Sequence, residues 1–111
     1  MTTHPARRED QLTTREAWRI TTELKTNTPC TDCDVVYPYW VQQLDHVAAR
    51  GPKAFTISLT YTSGRDRRVM VTRDELLAEI AKCDVVCANC HAERTHSRGG
   101  QLWGRTVEVA S

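Results

Sequence analysis

The stretch Cys87-Ala88-Asn89-Cys90-His91-Ala92-Glu93-Arg94-Thr95 sets two thiols three residues apart, an imidazole directly after them, and no helix breaker before Gly99-Gly100. A second pair of the same spacing, Cys30-Thr31-Asp32-Cys33, lies upstream. Each pair can offer two thiolates to one tetrahedral zinc at about 2.3 Å per bond, and two such knuckles complete a four-cysteine centre. Four thiolates leave no coordination position open to a substrate, so the expected zinc is structural and closes the long loop of residues 34–86. The fifth cysteine, Cys83, reads as an apolar filler, with replacement of one ligand as the alternative.

The rest of the composition supports metal rather than disulfides. A chain of 111 residues points to one domain with one small core. Its 40% hydrophobic and 26% charged residues are ordinary for a folded, water-soluble protein. No apolar run approaches the roughly 20 residues that span a bilayer, so no membrane partner is expected. Met1 to Gln11 is polar and lacks the apolar stretch of a signal peptide, which leads to an expectation of a cytoplasmic location. Structural disulfides are disfavoured there.

Outward from the two knuckles the pattern predicts an α+β fold. Residues 1–12 read as a tail. Thr13-Thr14-Arg15-Glu16 matches a capping box and opens an N-terminal helix with Ala17, Ile20 and Leu24 on one face, stopped at Asn27-Thr28-Pro29. Val35 to Val41, interrupted by Pro38, reads as an edge strand or extended segment leading to Leu44-Asp45-His46. Phe55, Ile57 and Leu59 alternate with Thr56, Ser58 and Thr60 as in a strand, a short helix being the alternative. Thr72-Arg73-Asp74-Glu75 is a second capping box, starting a helix over Leu76, Leu77, Ile80 and Ala81 that ends near Lys82-Cys83. A short extended Val85-Val86 precedes the second knuckle, a last helix begins near His91, and residues 99–111 form a C-terminal tail, with a marginal strand over Gln101 to Ser111 as the alternative.

Two histidines sit where chemistry is expected, His46 after Asp45 at a strand end and His91 after Cys90. With Cys30-x-x-Cys33, Leu44-Asp45-His46, Glu79-Ile80-Ala81-Lys82-Cys83 and Cys87 to Thr95 in this order, the chain resembles the HNH endonuclease family, in particular its small zinc-bearing bacterial and phage members. The resemblance covers roughly residues 30–95 and implies a ββα-metal fold within a domain of residues 13–98.

It also implies roles. His46 matches the general base that takes a proton from water. Asp45 and His91 match ligands of a catalytic divalent ion, Mg²⁺, Mn²⁺ or Zn²⁺, that stabilises the leaving 3′ oxygen. Phosphodiester cleavage needs such a pairing of an activated nucleophile and a cation. Neighbouring residues on a strand point to opposite sides, so a bulge or bend is expected to bring Asp45 and His46 toward one groove. The chain departs from the family pattern twice. Lys82 replaces an Asn, so the bracing that Asn gives has to come from elsewhere. Thr95 replaces a His or Asn, which leaves His96 as a candidate third ligand if the helix starts irregularly, or else exposed or on a phosphate.

Net charge is only +1, yet Arg50, Lys53, Arg65, Arg67, Arg68 and Arg73 face a single acidic residue, Asp66, across residues 50–73. Arg50, Lys53 and Arg94 are the basic residues nearest the site in sequence and are expected to contact DNA phosphates. Trp18, Tyr39, Trp40 and Trp103 are read as packing rather than base stacking. The expected function is therefore a metal-dependent DNA endonuclease, with phage packaging or other DNA-processing proteins as partners implied by the resemblance. The alternative is a non-catalytic zinc-knuckle module that binds nucleic acid or protein. A redox role for the CxxC pairs would want a thioredoxin-like βαβ pattern, which the sequence lacks.

Overall fold

The computed structural model describes residues 10–62 and 64–99, and the backbone alone at 101–102 and 105–106. The chain is a small mixed α/β protein. In order it forms β1 (Gln11–Thr13), α1 (Thr14–Asn27), β2 (Gln42–His46), β3 (Arg68–Thr72), α2 (Arg73–Ile80), β4 (Cys83–Cys87) and α3 (Ala88–Gly99). Two further strands, β5 (Gln101–Leu102) and β6 (Arg105–Thr106), pair with each other. No helix among the described residues is long and apolar enough to cross a membrane. His4 and Trp103 lie outside the described residues.

Both capping boxes form. The Thr13 hydroxyl accepts from the Glu16 amide while the Glu16 carboxylate accepts from the Thr13 amide, and Thr72 and Glu75 repeat the pattern. Each box satisfies two amides that the first helical turn otherwise leaves open. Of the expected tail of residues 1–12, Gln11 and Leu12 belong to β1, which pairs antiparallel with β3 and buries Leu12, and residues 1–9 lie outside the described residues.

The predicted strand over Phe55–Leu59 is a 3₁₀ turn, Ile57–Thr60. Its buried residues are Ile57 and Thr60, three apart, whereas Leu59 is exposed, so the core selects a helical spacing over the alternating one. Val35 to Val41 is likewise irregular, and pairing starts only at Gln42. The last helix begins at Ala88 rather than His91 and so takes in the second half of the knuckle.

Two apolar clusters result. Leu12, Ala17, Ile57, Val69 and Leu76 form one, joining α1, α2 and the β1–β3 pair, with Leu44, Phe55, Ile80 and Cys83 packed against it. Cys30, Val86 and Cys87 form the other, flanked by Tyr37, Val41 and Cys90. Five buried side chains, one of them alanine, make a slight core, and a second cluster built on cysteines needs something other than apolar burial to hold it.

β2 and β4 pair antiparallel in an unbroken register from Gln42 opposite Cys87 to His46 opposite Cys83. α3 follows β4 without a loop and packs on both strands. The product is a two-stranded sheet backed by one helix, with residues 47–82 inserted between the strands.

Candidate functional site

The sheet delivers two of the four knuckle cysteines directly, since Cys87 is the last residue of β4 and Cys90 lies in the first turn of α3. The other knuckle is fastened to the same strand: the Thr31 amide and hydroxyl both donate to the Val85 carbonyl, at 2.8 and 2.9 Å. Asp34 turns the chain in the left-handed region (φ 60°) as its amide donates to the Cys30 carbonyl, a conformation Asp tolerates better than most residues.

The Sγ atoms of Cys30, Cys33, Cys87 and Cys90 consequently lie within 4.8 Å of one another. Tetrahedral zinc with bonds of about 2.3 Å needs sulfurs about 3.8 Å apart, so the four fit one ion. Amides point at the sulfurs as well, Cys87 N–H at Cys30 Sγ (3.2 Å) and Cys90 N–H at Cys87 Sγ (3.4 Å). Burial opposes ionisation of Cys30, but the amides of Cys87, Cys33 and Asp32 outweigh it and bring its thiol down to about 6. Cys90 is pushed up, chiefly by its hydrogen bond to Cys87. Cys83 lies outside the group, its thiol against the Glu79 carbonyl and raised to about 11 by burial and then by the charge of Glu79.

Asp45 and His46 point to opposite sides of β2, and the expected bulge is not there to reconcile them. Asp45 turns toward α3 and is buried. Arg98 grips it with two parallel bonds, Nη1 to Oδ1 at 2.7 Å and Nη2 to Oδ2 at 2.6 Å, and Arg94 Nη1 adds a third to Oδ2 at 2.8 Å. His91 Nε2 lies 3.3 Å from Asp45 Oδ1. The Arg98 guanidinium is the main cause that holds the Asp45 carboxyl down to about 2, against burial and with Arg94 assisting.

His46 turns toward α2 instead. Its Nε2 is 2.8 Å from Oε2 of the buried Glu79, which also accepts from the Ala54 amide and, through Oε1, from Lys82 Nζ at 2.9 Å. Burial raises the Glu79 pKa, but the bonds from Lys82, His46 and Ala54 prevail and bring it to about 2. An ionised carboxylate only accepts, so Nε2 of His46 carries the hydrogen in this pair, which makes Nδ1 the acceptor of the neutral ring.

A cavity of about 240 Å³ lies against β2 and is lined by residues from both of its sides. His46 and His91 both line it, with Lys25, Lys53, Tyr61 and Gln43. Asp45 does not reach it and stands behind His91.

The basic residues divide. Lys53 lines the cavity. Arg50 is bonded to Asp84 (2.8 Å) and to the Cys83 carbonyl, while Arg94 is drawn into Asp32, Asp45 and Asp84, so both face carboxylates rather than the cavity. His96 is exposed and lies five residues beyond His91, about 140° around the helix at about 100° per residue. Lys82 supplies bracing itself: its Nζ donates to the Pro52 carbonyl (2.8 Å) and its own carbonyl accepts from the Val47 amide.

Sequence reasoning missed three contributors. Glu79 sits one turn after Leu76 on the buried side of α2, and a carboxylate on an apolar stripe is itself a signal of a buried partner. Lys25 and Tyr61 reach the cavity only through tertiary packing, Lys25 Nζ lying 3.5 Å from the Tyr61 hydroxyl. Trp18, Tyr39 and Trp40 stack edge to face in sequence, with Trp40 largely exposed. No family model, no curated protein and no solved structure matches this chain.

Proposed function

We propose that the protein is a metal-dependent endonuclease that hydrolyses DNA phosphodiesters, a ββα-metal enzyme of the HNH kind held together by a four-cysteine zinc. One observation carries this reading: His46 and His91 face a single lysine-lined cavity, His46 backed by an ionised carboxylate and His91 backed by Asp45. The β2–β4–α3 unit supports it, being two antiparallel strands followed at once by a helix.

His46 is the general base. Glu79 fixes the ring by accepting a hydrogen bond from Nε2–H, and Nδ1 accepts a proton from the attacking water. Lys25 and Lys53 offset phosphate charge at the cavity wall. Asp45 and His91 would hold the divalent ion. Two ligands of one such ion, each about 2.1 Å away, stand about 3 Å apart, and their 3.3 Å separation fits. A bound divalent cation supplies positive charge for the leaving 3′ oxygen. The hard oxygen and single imidazole suit Mg²⁺, Mn²⁺ or Zn²⁺.

The test is nicking of supercoiled plasmid in Mg²⁺ or Mn²⁺ by the zinc-loaded protein beside Asp45→Asn and His91→Ala. Loss of nicking in both variants, with zinc content unchanged, is the expected result; undiminished nicking would remove them as ligands.

A second reading has its own observation. Asp45 is already saturated by Arg98 and Arg94, as a structural strut would be. Under that reading the protein is a non-catalytic zinc-knuckle module that binds nucleic acid or protein, and it does not nick DNA with any divalent ion.

A further inference from the structure

The arginines on Asp45 are not equivalent. Arg94 is anchored three ways, with paired 2.6 Å bonds to Asp32 inside the first knuckle and single bonds to Asp45 and Asp84, and its side chain is 19% exposed. Arg98 is held by Asp45 alone among the contacts described for it, and its side chain is 49% exposed. Asp45 itself is 4% exposed. Both oxygens of its carboxylate are taken by guanidinium bonds, and Arg98 is the more exposed and less anchored of the two arginines.

Charge points the same way. Asp32, Asp45 and Asp84 are matched by Arg50, Arg94 and Arg98. With Arg98 turned outward, the cluster keeps one uncompensated negative charge next to His91, which favours a cation on Asp45 Oδ1. The freed guanidinium is a planar fork suited to a phosphate, and it lies in the last turn of α3, whose first turn carries His91.

We propose that Arg98 and a divalent cation are alternative partners of Asp45, and that a phosphate of the bound DNA receives Arg98 when the cation enters. This rests on the endonuclease reading of Asp45 and His91. Arg98 is then a substrate-binding residue as well as a plug, and cation and DNA binding reinforce each other. Free protein holds the cation weakly; the DNA complex holds it well.

Mn²⁺ binding to the zinc-loaded full chain, followed by loss of the free-ion electron paramagnetic resonance signal, separates the two ideas. Arg98→Ala should bind Mn²⁺ about tenfold more tightly than wild type without DNA, Arg98→Gln should fall between, and Asp45→Asn should lose the site. Circular dichroism and zinc content identify any variant that fails to fold, and the glutamine variant keeps the stem and one donor if the alanine does not. Equal affinities in wild type and both Arg98 variants, all dependent on Asp45, would overturn the exchange alone. Absence of an Asp45-dependent site from every form would overturn the endonuclease reading and the exchange with it. Fluorescence anisotropy of a short duplex should show Mn²⁺ tightening DNA binding by wild type severalfold and by Arg98→Ala hardly at all. Equal tightening in both would overturn the transfer of Arg98 to phosphate.

Discussion

His46 Nε2 and Glu79 Oε2 lie 2.8 Å apart, so the last residue of β2 is oriented by a carboxylate from the last turn of α2 that is only 2% exposed. The contact spans 33 residues of sequence and ties the inserted α2 to the ring facing the cavity. Glu79 is a positioning residue in this account, acting on water only through His46. Glu79→Gln should lower kcat about 10- to 100-fold with KM and zinc content nearly unchanged. An unchanged kcat in steady-state cleavage kinetics would show that the pair is structural.

The four-cysteine group predicts one tightly held zinc per chain. Cys33 is exposed, so Cys33→Ser removes a ligand while sparing the core. Each kcal/mol lost should lower the melting temperature by about 4–8 °C at this size. Loss of a zinc ligand should cost several such steps, because metal binding supplies folding free energy. Elemental analysis and a thermal melt check both points, and a zinc-free protein that melts like wild type would contradict them.

Asp45 and Glu79 are both depressed to about 2 in the folded protein. A depressed carboxyl contributes stability that is complete above its unfolded value, about 4, and is lost as pH falls from there through 2. Each contribution is on the order of 2 kcal/mol at neutral pH. Cysteine protonation releases metal in the same acid range, so the gap between proteins is more telling than either slope. Asp45→Asn should melt below wild type at pH 7, and the gap should close as pH approaches 2. A gap that stays constant would mean that the Asp45 charge adds nothing to stability.

Lys25 and Lys53 reach the cavity from α1 and from the segment after β2, and each should neutralise about one phosphate. Their alanine variants should raise KM or Kd for DNA severalfold and reduce by about one the slope of log affinity against log salt. Arg50→Ala should leave that slope alone, since Arg50 is bonded to Asp84. A loss of slope in Arg50→Ala and none in the lysine variants would place the DNA elsewhere.

Local signals were legible in the sequence where short-range chemistry decides the structure. Thr13 with Glu16 and Thr72 with Glu75 announce their helices because the capping bonds span three residues. The two CxxC pairs announce a metal group because spacing alone limits which sulfurs can meet. Phe55 to Leu59 misled because alternation implies a strand only where a partner edge exists, and β3 spends its pairing on β1. The site was half legible. Asp45, His46 and His91 stood out as residue types, but Glu79, Lys25 and the two-sided arrangement of Asp45 and His46 depend on how α1 and α2 pack around the sheet. Arg50 and Arg94 were expected on DNA and are bound by carboxylates, because Asp84 stands in register opposite Asp45 and two facing acids require cations between them.

The central claim is that His46 activates water at this cavity. Zinc-loaded wild type and His46→Ala should be compared on supercoiled plasmid in Mg²⁺ and Mn²⁺, with zinc content and circular dichroism matched. Nicking by wild type and its loss by at least about 100-fold in His46→Ala is the predicted result. Equal nicking by both proteins, or none by wild type in either ion, would contradict it.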